Sequence, residues 1–253
     1  MRKNPKEKPK KHEDFNKSID ERQSLEYTDG YTEAKSIREA RANIEKFGIK
    51  TDGSYNRLPL EVANHYNCEL TRVFNVINTV GWIDKIVVDS PKIEEGVDLA
   101  YDKREHALLI RSSFRERPTE IRRSRTNPDG SPKIYQWSTG SSRHPYRHEI
   151  GHAIYHLFVG HVGSDVEKRA KNLYDEFFGN PGDSNSEGVV RLSKYANKDC
   201  SEMFAEAFAS VMDNIEDSSF ARRIVNYVLY GEDDDTKRGF GGIQDVRHPS
   251  QEG

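Results

Sequence analysis

The chain has 253 residues, of which 34% are hydrophobic and 32% are charged, with 39 basic and 42 acidic residues and a formal net charge of -3. This near balance excludes a global electrostatic attraction to nucleic acid, and there is no apolar run of about 18 residues that would span a membrane. The length suits one domain with extensions, and the high polar content indicates that parts of the chain are disordered.

Both ends of the chain are predicted to be disordered tails. Residues 1–30 begin with a lysine-rich stretch and continue without apolar periodicity, and residues 232–253 are acidic and rich in glycine. The basic start is not followed by an apolar stretch of about 7 or more residues, so a secretion signal is not supported. We therefore expect a cytoplasmic protein.

Between the tails, the apolar pattern predicts a mostly helical chain with a few strands. Residues 31–80 are expected to form an N-terminal helical segment with helices at 32–47 and 59–78. In the unit that follows, residues 81–231, we predict a buried strand at 82–89 and a hairpin formed by 97–101 and 107–112. Further helices are predicted at 165–178 and 220–230.

A motif with chemical meaning begins at His148, where the sequence reads His-Glu-Ile-Gly-His within an apolar helical stretch. Residues four apart lie on the same face of a helix, so His148 and His152 can share one metal ion. Glu149 lies on the adjoining strip, within reach of a water on that ion. This is the H-E-x-x-H pattern of two zinc ligands with a general base, which chance rarely produces among nine histidines.

A catalytic zinc site takes three protein ligands, and the spacing narrows the choice of the third. In the metzincin pattern the third ligand is a histidine ten residues after the first, but this position is Phe158. His156 lies too far along a straight helix to share one ion with His148 and His152, so we interpret His156 as a surface or supporting histidine. The remaining candidates, Glu202 and Glu206, border the apolar stripe of a later helix. Two carboxylates four residues apart repel each other, so they either receive a cation or hydrogen bonds or form an exposed acidic edge. The upstream motif favours the ligand interpretation.

These residues together resemble the gluzincin-type zinc endopeptidases. The resemblance is to the catalytic domain of anthrax lethal factor, the Pro-Pro endopeptidases and related phage-encoded metallopeptidase domains, and it is carried by His-Glu-Ile-Gly-His, by Glu-Met-Phe-Ala-Glu-Ala-Phe-Ala from Glu202, and by Tyr195 seven residues before Glu202. It implies that one Zn²⁺ per chain is bound by His148, His152 and Glu202. It also implies that Glu149 is the general base, that Tyr195 faces the substrate, and that Glu206 supports a ligand without binding the metal.

The resemblance also implies a fold and a function. The expected fold is α+β and zincin-like, mostly helical, with a small mixed sheet packed on the active-site helix and the glutamate helix, and with residues 81–231 as the catalytic domain. The expected function is zinc-dependent hydrolysis of a protein or peptide substrate, in the cytoplasm or in a phage particle. The alternatives are a non-catalytic structural or interaction protein, for example one associated with phage, that retains a zinc site, and a helical binding module with a coincidental motif. The oligomeric state does not follow from the sequence.

Zinc endopeptidases commonly hold an extended peptide against an exposed sheet edge. We predict that residues 107–112 or residues 133–137 provide this edge. The alternative is that both segments are ordinary paired strands.

Overall fold

The computed structural model describes residues 31–77, 83–116, 131, 133–179, 186–213 and 219–231. The tails predicted at 1–30 and 232–253 lie outside these residues. The described part of the chain is a mixed α/β structure that is mostly helical, with seven α-helices and a small four-stranded mixed sheet. None of its helices is both long and apolar enough to cross a membrane.

The N-terminal segment contains the two predicted helices, α1 (Ile37–Glu45) and α2 (Leu60–Ile77). Helix α1 begins after Ser36, whose side chain accepts a hydrogen bond from the backbone N–H of Glu39. Between the helices lie a strand, β1 (Lys50–Thr51), and a short 3₁₀-helix (Gly53–Arg57) that the apolar pattern did not predict. They are too short to carry a periodic signal.

The sheet is completed by three strands, β2 (Lys85–Val88), β3 (Leu99–Asp102) and β4 (Ala107–Ile110). Their spatial order is β1-β2-β4-β3, with β1, β2 and β4 parallel and β3 antiparallel to β4. The predicted hairpin is therefore confirmed as β3 and β4. Because β1 pairs with β2, the N-terminal segment and the residues after it contribute to one sheet.

The sheet edge beside the candidate site is β3, and the predictions for this edge were wrong. Strand β4 within 107–112 is interior, because it pairs with β2 on one side and with β3 on the other. Residues 133–137 do not form a strand, although the backbone N–H groups of Lys194 and Tyr195 donate to the carbonyls of Tyr135 and Gln136.

The remaining helices follow in sequence, and two of them carry the candidate site. Helix α3 (His144–Val162) has Pro145 in its first turn, where a missing N–H is tolerated. Helices α4 (Ser164–Phe177) and α5 (Glu187–Arg191) lead to a 3₁₀-helix (Tyr195–Asn197) and to α6 (Cys200–Met212). The last is α7 (Ser219–Tyr230), which was predicted.

Helices α3 and α6 approach each other closely at Gly151. A Cβ atom at this position would lie 2.9 Å from Cα of Ala205, which is closer than real Cβ contacts, and 3.2 Å from Cβ of Phe208, which is tight. The glycine of His-Glu-Ile-Gly-His is thus required for the helices to touch. Every residue from 203 to 212 is buried, so α6 is the central helix of a core that extends from α1 to α7.

Candidate metal centre

The three predicted ligand side chains converge on one point between α3 and α6. The Nε2 atoms of His148 and His152 are 3.1 Å apart, and they lie 2.9 and 3.2 Å from Oε2 of Glu202. A tetrahedral ion with bonds of about 2.0–2.2 Å places neighbouring ligand atoms about 3.3–3.5 Å apart. The triangle therefore has the size of a zinc site, slightly contracted.

The chemistry of this triangle fits a cation. Oε2 of Glu202 is buried and has no aligned hydrogen bond, even though two imidazole nitrogens lie within 3.2 Å of it. A buried carboxylate oxygen in this state is costly, and a cation at the centre would satisfy its lone pair and those of both nitrogens. Two imidazoles and one carboxylate are also a common donor set for catalytic zinc.

The pKa values of Glu202 and His148 reflect the short distances between the imidazoles and the carboxylates. Burial alone would raise the pKa of Glu202, but the imidazoles of His148 and His152 lower it to about 2. Burial alone would lower the pKa of His148, yet the carboxylates of Glu202 and Glu206 raise it well above its usual value. A proton on His148 is thus stabilised by the carboxylates that flank its ring.

The side chains of Asp199 and Ser201 orient the predicted ligands Glu202 and His152. The side chain of Asp199 is the N-cap of α6 and accepts hydrogen bonds from the backbone N–H groups of Ser201 and Glu202, at 2.8 and 2.9 Å. This cap fixes Glu202 in the first turn, where the helix dipole favours a negative charge. Oγ of Ser201 lies 2.8 Å from Nδ1 of His152, which leaves Nε2 directed toward the triangle.

Glu206 lies one turn after Glu202, fully buried behind His148. Its Oε1 atom is 2.9 Å from Nδ1 of His148 and 3.0 Å from Nε2 of His144. Its Oε2 atom accepts a hydrogen bond from Oγ of Ser193 at 2.9 Å and another from the backbone N–H of Ser138. Although burial raises the pKa of Glu206, the adjacent His144 and His148 hold it well below its usual value. Glu206 thus contacts the opposite side of His148 from Glu202.

Glu149 lies between the two histidines and faces the sheet. Its side chain is only partly exposed, and burial raises its pKa. The backbone N–H of Tyr101, in the edge strand β3, donates a hydrogen bond to its carboxylate. The predicted general base is therefore next to both the metal triangle and the edge of the sheet.

Tyr195 packs against the first ligand. Its ring centroid is 5.5 Å from that of His148 in an edge-to-face arrangement and 4.2 Å from that of Trp137, while Nζ of Lys198 lies 3.4 Å above its ring. The structure thus brings Tyr195 to the wall of the site. Trp137, which also contacts the rings of His144 and His148, was not predicted as part of this wall.

His156 lies outside the triangle, as its spacing predicted. It stacks on Tyr101, with ring centroids 6.0 Å apart, and burial lowers its pKa to about 4. Within the described residues, the groups of three or more potential ligands are His148 with His152 and Glu202, and His148 with His144 and Glu206.

A buried ion-pair network below the site was missed by the sequence analysis. Glu69 of α2 is fully buried, and the guanidinium of Arg147 binds both of its oxygens at 2.9 and 3.0 Å. Arg143 and Arg72 contact the same carboxylate at 3.1 and 3.2 Å, and Arg147 also pairs with Asp213. This network attaches α2 and the end of α6 to the residue preceding His148. In the sequence of α2, the signal for this network is the charged residue Glu69 among apolar neighbours.

Comparisons of the chain with models of protein families, with curated proteins and with solved structures find no match. No relative therefore assigns a fold family, an activity or a ligand to the chain. Function has to be inferred from the chemistry of the site itself, because sites rather than folds carry function.

Proposed function

We propose that the chain is a zinc-dependent endopeptidase of the gluzincin type with a zincin-like fold. The observation that carries this proposal is the triangle of His148 Nε2, His152 Nε2 and Glu202 Oε2, with sides of 2.9–3.2 Å and a carboxylate oxygen that lacks an aligned partner. Three protein ligands leave the fourth position of a tetrahedral zinc ion for water or substrate, which is the composition of a catalytic site.

The architecture supports the same proposal. A small mixed sheet lies on one side of α3, and α6 packs on the other side at Gly151. The proposed metal ligands therefore lie on two closely packed helices, while Glu149 is directed to the edge strand β3. A peptide that extends the sheet along β3 would pass over Glu149 and the ligand histidines, which makes β3 the proposed binding edge in place of the two segments predicted from the sequence.

In the proposed mechanism, His148, His152 and Glu202 would hold zinc, which as a Lewis acid would lower the pKa of a bound water from about 15.7 toward about 7. Glu149 accepts the proton of that water as it attacks the peptide carbonyl and later delivers it to the leaving amine. In the metal-free chain, burial raises the pKa of Glu149, which favours uptake of a proton by this carboxylate. The Tyr195 hydroxyl donates a hydrogen bond to the oxyanion.

The proposal is tested first by the metal content of the purified protein. We expect one zinc per chain by elemental analysis, and a strongly reduced content in His148→Ala and in Glu202→Ala. If the wild-type protein binds no zinc after reconstitution, the metal site and the enzymatic proposal both fail. If His148→Ala loses zinc and Glu202→Ala retains it, the gluzincin assignment fails although a metal site remains.

Activity is tested separately with a peptide library analysed by mass spectrometry. Glu149→Gln should bind zinc like the wild type and cleave nothing, whereas Glu167→Gln, an exposed position on α4, should cleave normally. Cleavage that survives in Glu149→Gln would contradict the assigned base. Zinc binding without cleavage of any library protein or peptide by the wild type would favour the alternative of a structural or interaction protein that retains the site.

A further inference from the structure

A third histidine, His144, lies one helical turn before His148 on α3 and is 2% exposed. Its Nε2 atom forms a hydrogen bond of 3.0 Å with Oε1 of Glu206, the same oxygen that lies 2.9 Å from Nδ1 of His148. His144 does not take part in the metal triangle. Its contact is instead with the carboxylate that supports a metal ligand.

We propose that His144 is a positioning residue that fixes the Glu206 carboxylate against His148 and thereby orients this ligand toward the metal. The inference rests on the proposed zinc site. A histidine that binds metal through Nε2 needs a partner for its other nitrogen, and that partner sets the tautomer and the ring orientation. Here the partner is Glu206, and its own orientation depends on the groups that bind it.

The contacts of Glu206 show why His144 matters. Oε2 is held by Ser193 and by the backbone of Ser138, while Oε1 faces the imidazoles of His144 and His148. The bond from His144 is aligned, whereas Nδ1 of His148 faces Oε1 without hydrogen-bond alignment. His144 is therefore a group with an aligned hydrogen bond to Oε1, and it holds this oxygen 2.9 Å from Nδ1 of His148.

The same contacts argue against His144 as a ligand of a second metal ion. Each oxygen of Glu206 already has two nitrogen or hydroxyl neighbours, so the buried carboxylate is satisfied by donors of the protein. The carboxylate of Glu202 differs, because its Oε2 atom has no aligned partner. Of the two carboxylates, Glu202 is therefore the one with an oxygen that a cation would satisfy.

The proposal is tested by zinc and cobalt binding to the full chain. His144→Leu removes the donor, and His144→Gln retains an N–H donor of similar reach. Competition with a chromogenic chelator gives the zinc affinity, the visible spectrum of the Co²⁺-loaded protein reports the ligand geometry, and thermal unfolding of the metal-free protein reports the fold. His156→Leu serves as a control, because His156 is a partly buried α3 histidine outside this network.

We expect His144→Leu to lower the zinc affinity about tenfold, the low end of the effect of losing an outer partner of a ligand, and to alter the Co²⁺ spectrum. His144→Gln should recover most of the affinity, and His156→Leu should bind like the wild type. If His144→Leu does not fold, His144→Asn replaces it, since its shorter amide does not reach Glu206.

Several outcomes would overturn the proposal, and each has a distinct signature. Wild-type affinity in His144→Leu would remove the positioning role and leave the zinc site intact. Equal losses in His144→Leu and His144→Gln, together with a less stable metal-free protein, would show that His144 serves packing alone. Two zinc ions per wild-type chain, with one lost in His144→Leu, would make His144 a ligand. If the wild type bound no zinc, the proposed function itself would fail.

Discussion

Replacing Gly151 with alanine should separate the two helices that carry the metal ligands. The new Cβ would lie 2.9 Å from Cα of Ala205, whereas carbon atoms in contact are about 3.5–4.0 Å apart. The helices must therefore move apart locally by about 0.6–1 Å. Because Gly151 lies between His148 and His152, and Ala205 lies between Glu202 and Glu206, this movement enlarges the metal triangle.

The change in the free energy of unfolding of Gly151→Ala follows from two opposing effects. Overpacking a filled core costs about 1–3 kcal/mol. Alanine favours a helix over glycine by about 0.8–1 kcal/mol, which offsets part of that cost. Gly160 of the same helix provides the matched control, since a Cβ atom there would meet no heavy atom within 4 Å. Gly160→Ala should therefore show the gain in helix propensity alone.

The two variants are compared in the metal-free state by thermal or urea unfolding, followed by circular dichroism. We expect Gly151→Ala to be less stable than Gly160→Ala by about 1–3 kcal/mol, or about 2–12 °C in Tm for a chain of this size. Metal sites tolerate ligand distances within about 0.2 Å, so the zinc affinity of Gly151→Ala should also fall, by about tenfold or more. Equal stability and equal zinc affinity in the two variants would refute the close packing of α3 on α6.

Three further predictions concern the surroundings of the site. Ser201→Ala removes the partner of His152 Nδ1 and should weaken zinc binding by about tenfold in the chelator assay, without a comparable loss of metal-free stability; an unchanged affinity would contradict the orienting role. Arg147→Met leaves Glu69 buried without its bidentate partner and should destabilise the chain by about 3–5 kcal/mol in urea, whereas Arg147→Met combined with Glu69→Leu should recover part of the loss. Burial raises the pKa of Glu202, but the two ligand imidazoles lower it to about 2, below the usual 4.5, so the stability it gives the metal-free protein is present above about pH 4.5 and is lost as the pH falls toward 2. The difference in Tm between wild type and Glu202→Gln should shrink over that range, and a difference that grew on acidification would contradict the sign.

The local pattern of the sequence was sufficient for most helices and for the candidate ligands. The helical period predicted α2 and α7 within one residue at each end, and it placed His148 and His152 on one face. Helix α1 was predicted at 32–47 but is shorter, because it begins after the N-cap Ser36. Both kinds of information are local, because a helix relates residues three or four positions apart. Glu202 and Glu206 became candidates because they border an apolar stripe, which is also a local feature, and the family resemblance implied that Glu202 is the ligand.

The order of the strands was not available from such patterns. Residues 107–110 are all buried, as expected of a strand covered on both faces, and β3 has one buried residue in four. The contrast between the apolar sequence of β4 and the mixed sequence of β3 indicates that β4 is interior. Strand pairing joins distant segments, so β1 in particular has no recognisable signal in its two residues.

The polar contacts of Glu206, which lies behind His148, could also not be predicted from the sequence. Ser138, Ser193 and His144 meet Glu206 from positions 13 to 68 residues away. Small hydroxyl side chains are common in loops, and nothing in their neighbours distinguishes these two serines. The same holds for Glu69 and Arg147, which are 78 positions apart and were each compatible with an exposed helix surface.

The two ligand helices are far apart along the chain, and this separation gives the site a second physical consequence. His152 and Ser201 are 49 positions apart, with α4 and α5 between them, and Glu202 follows directly. An ion bound from both sides would act as a cross-link that closes this loop, in the way a disulfide constrains an unfolded chain. Amide hydrogen exchange in α4 and α5, which contain no ligand, would then slow when zinc is added. The site would thus govern how often this part of the molecule opens, as well as any chemistry it performs.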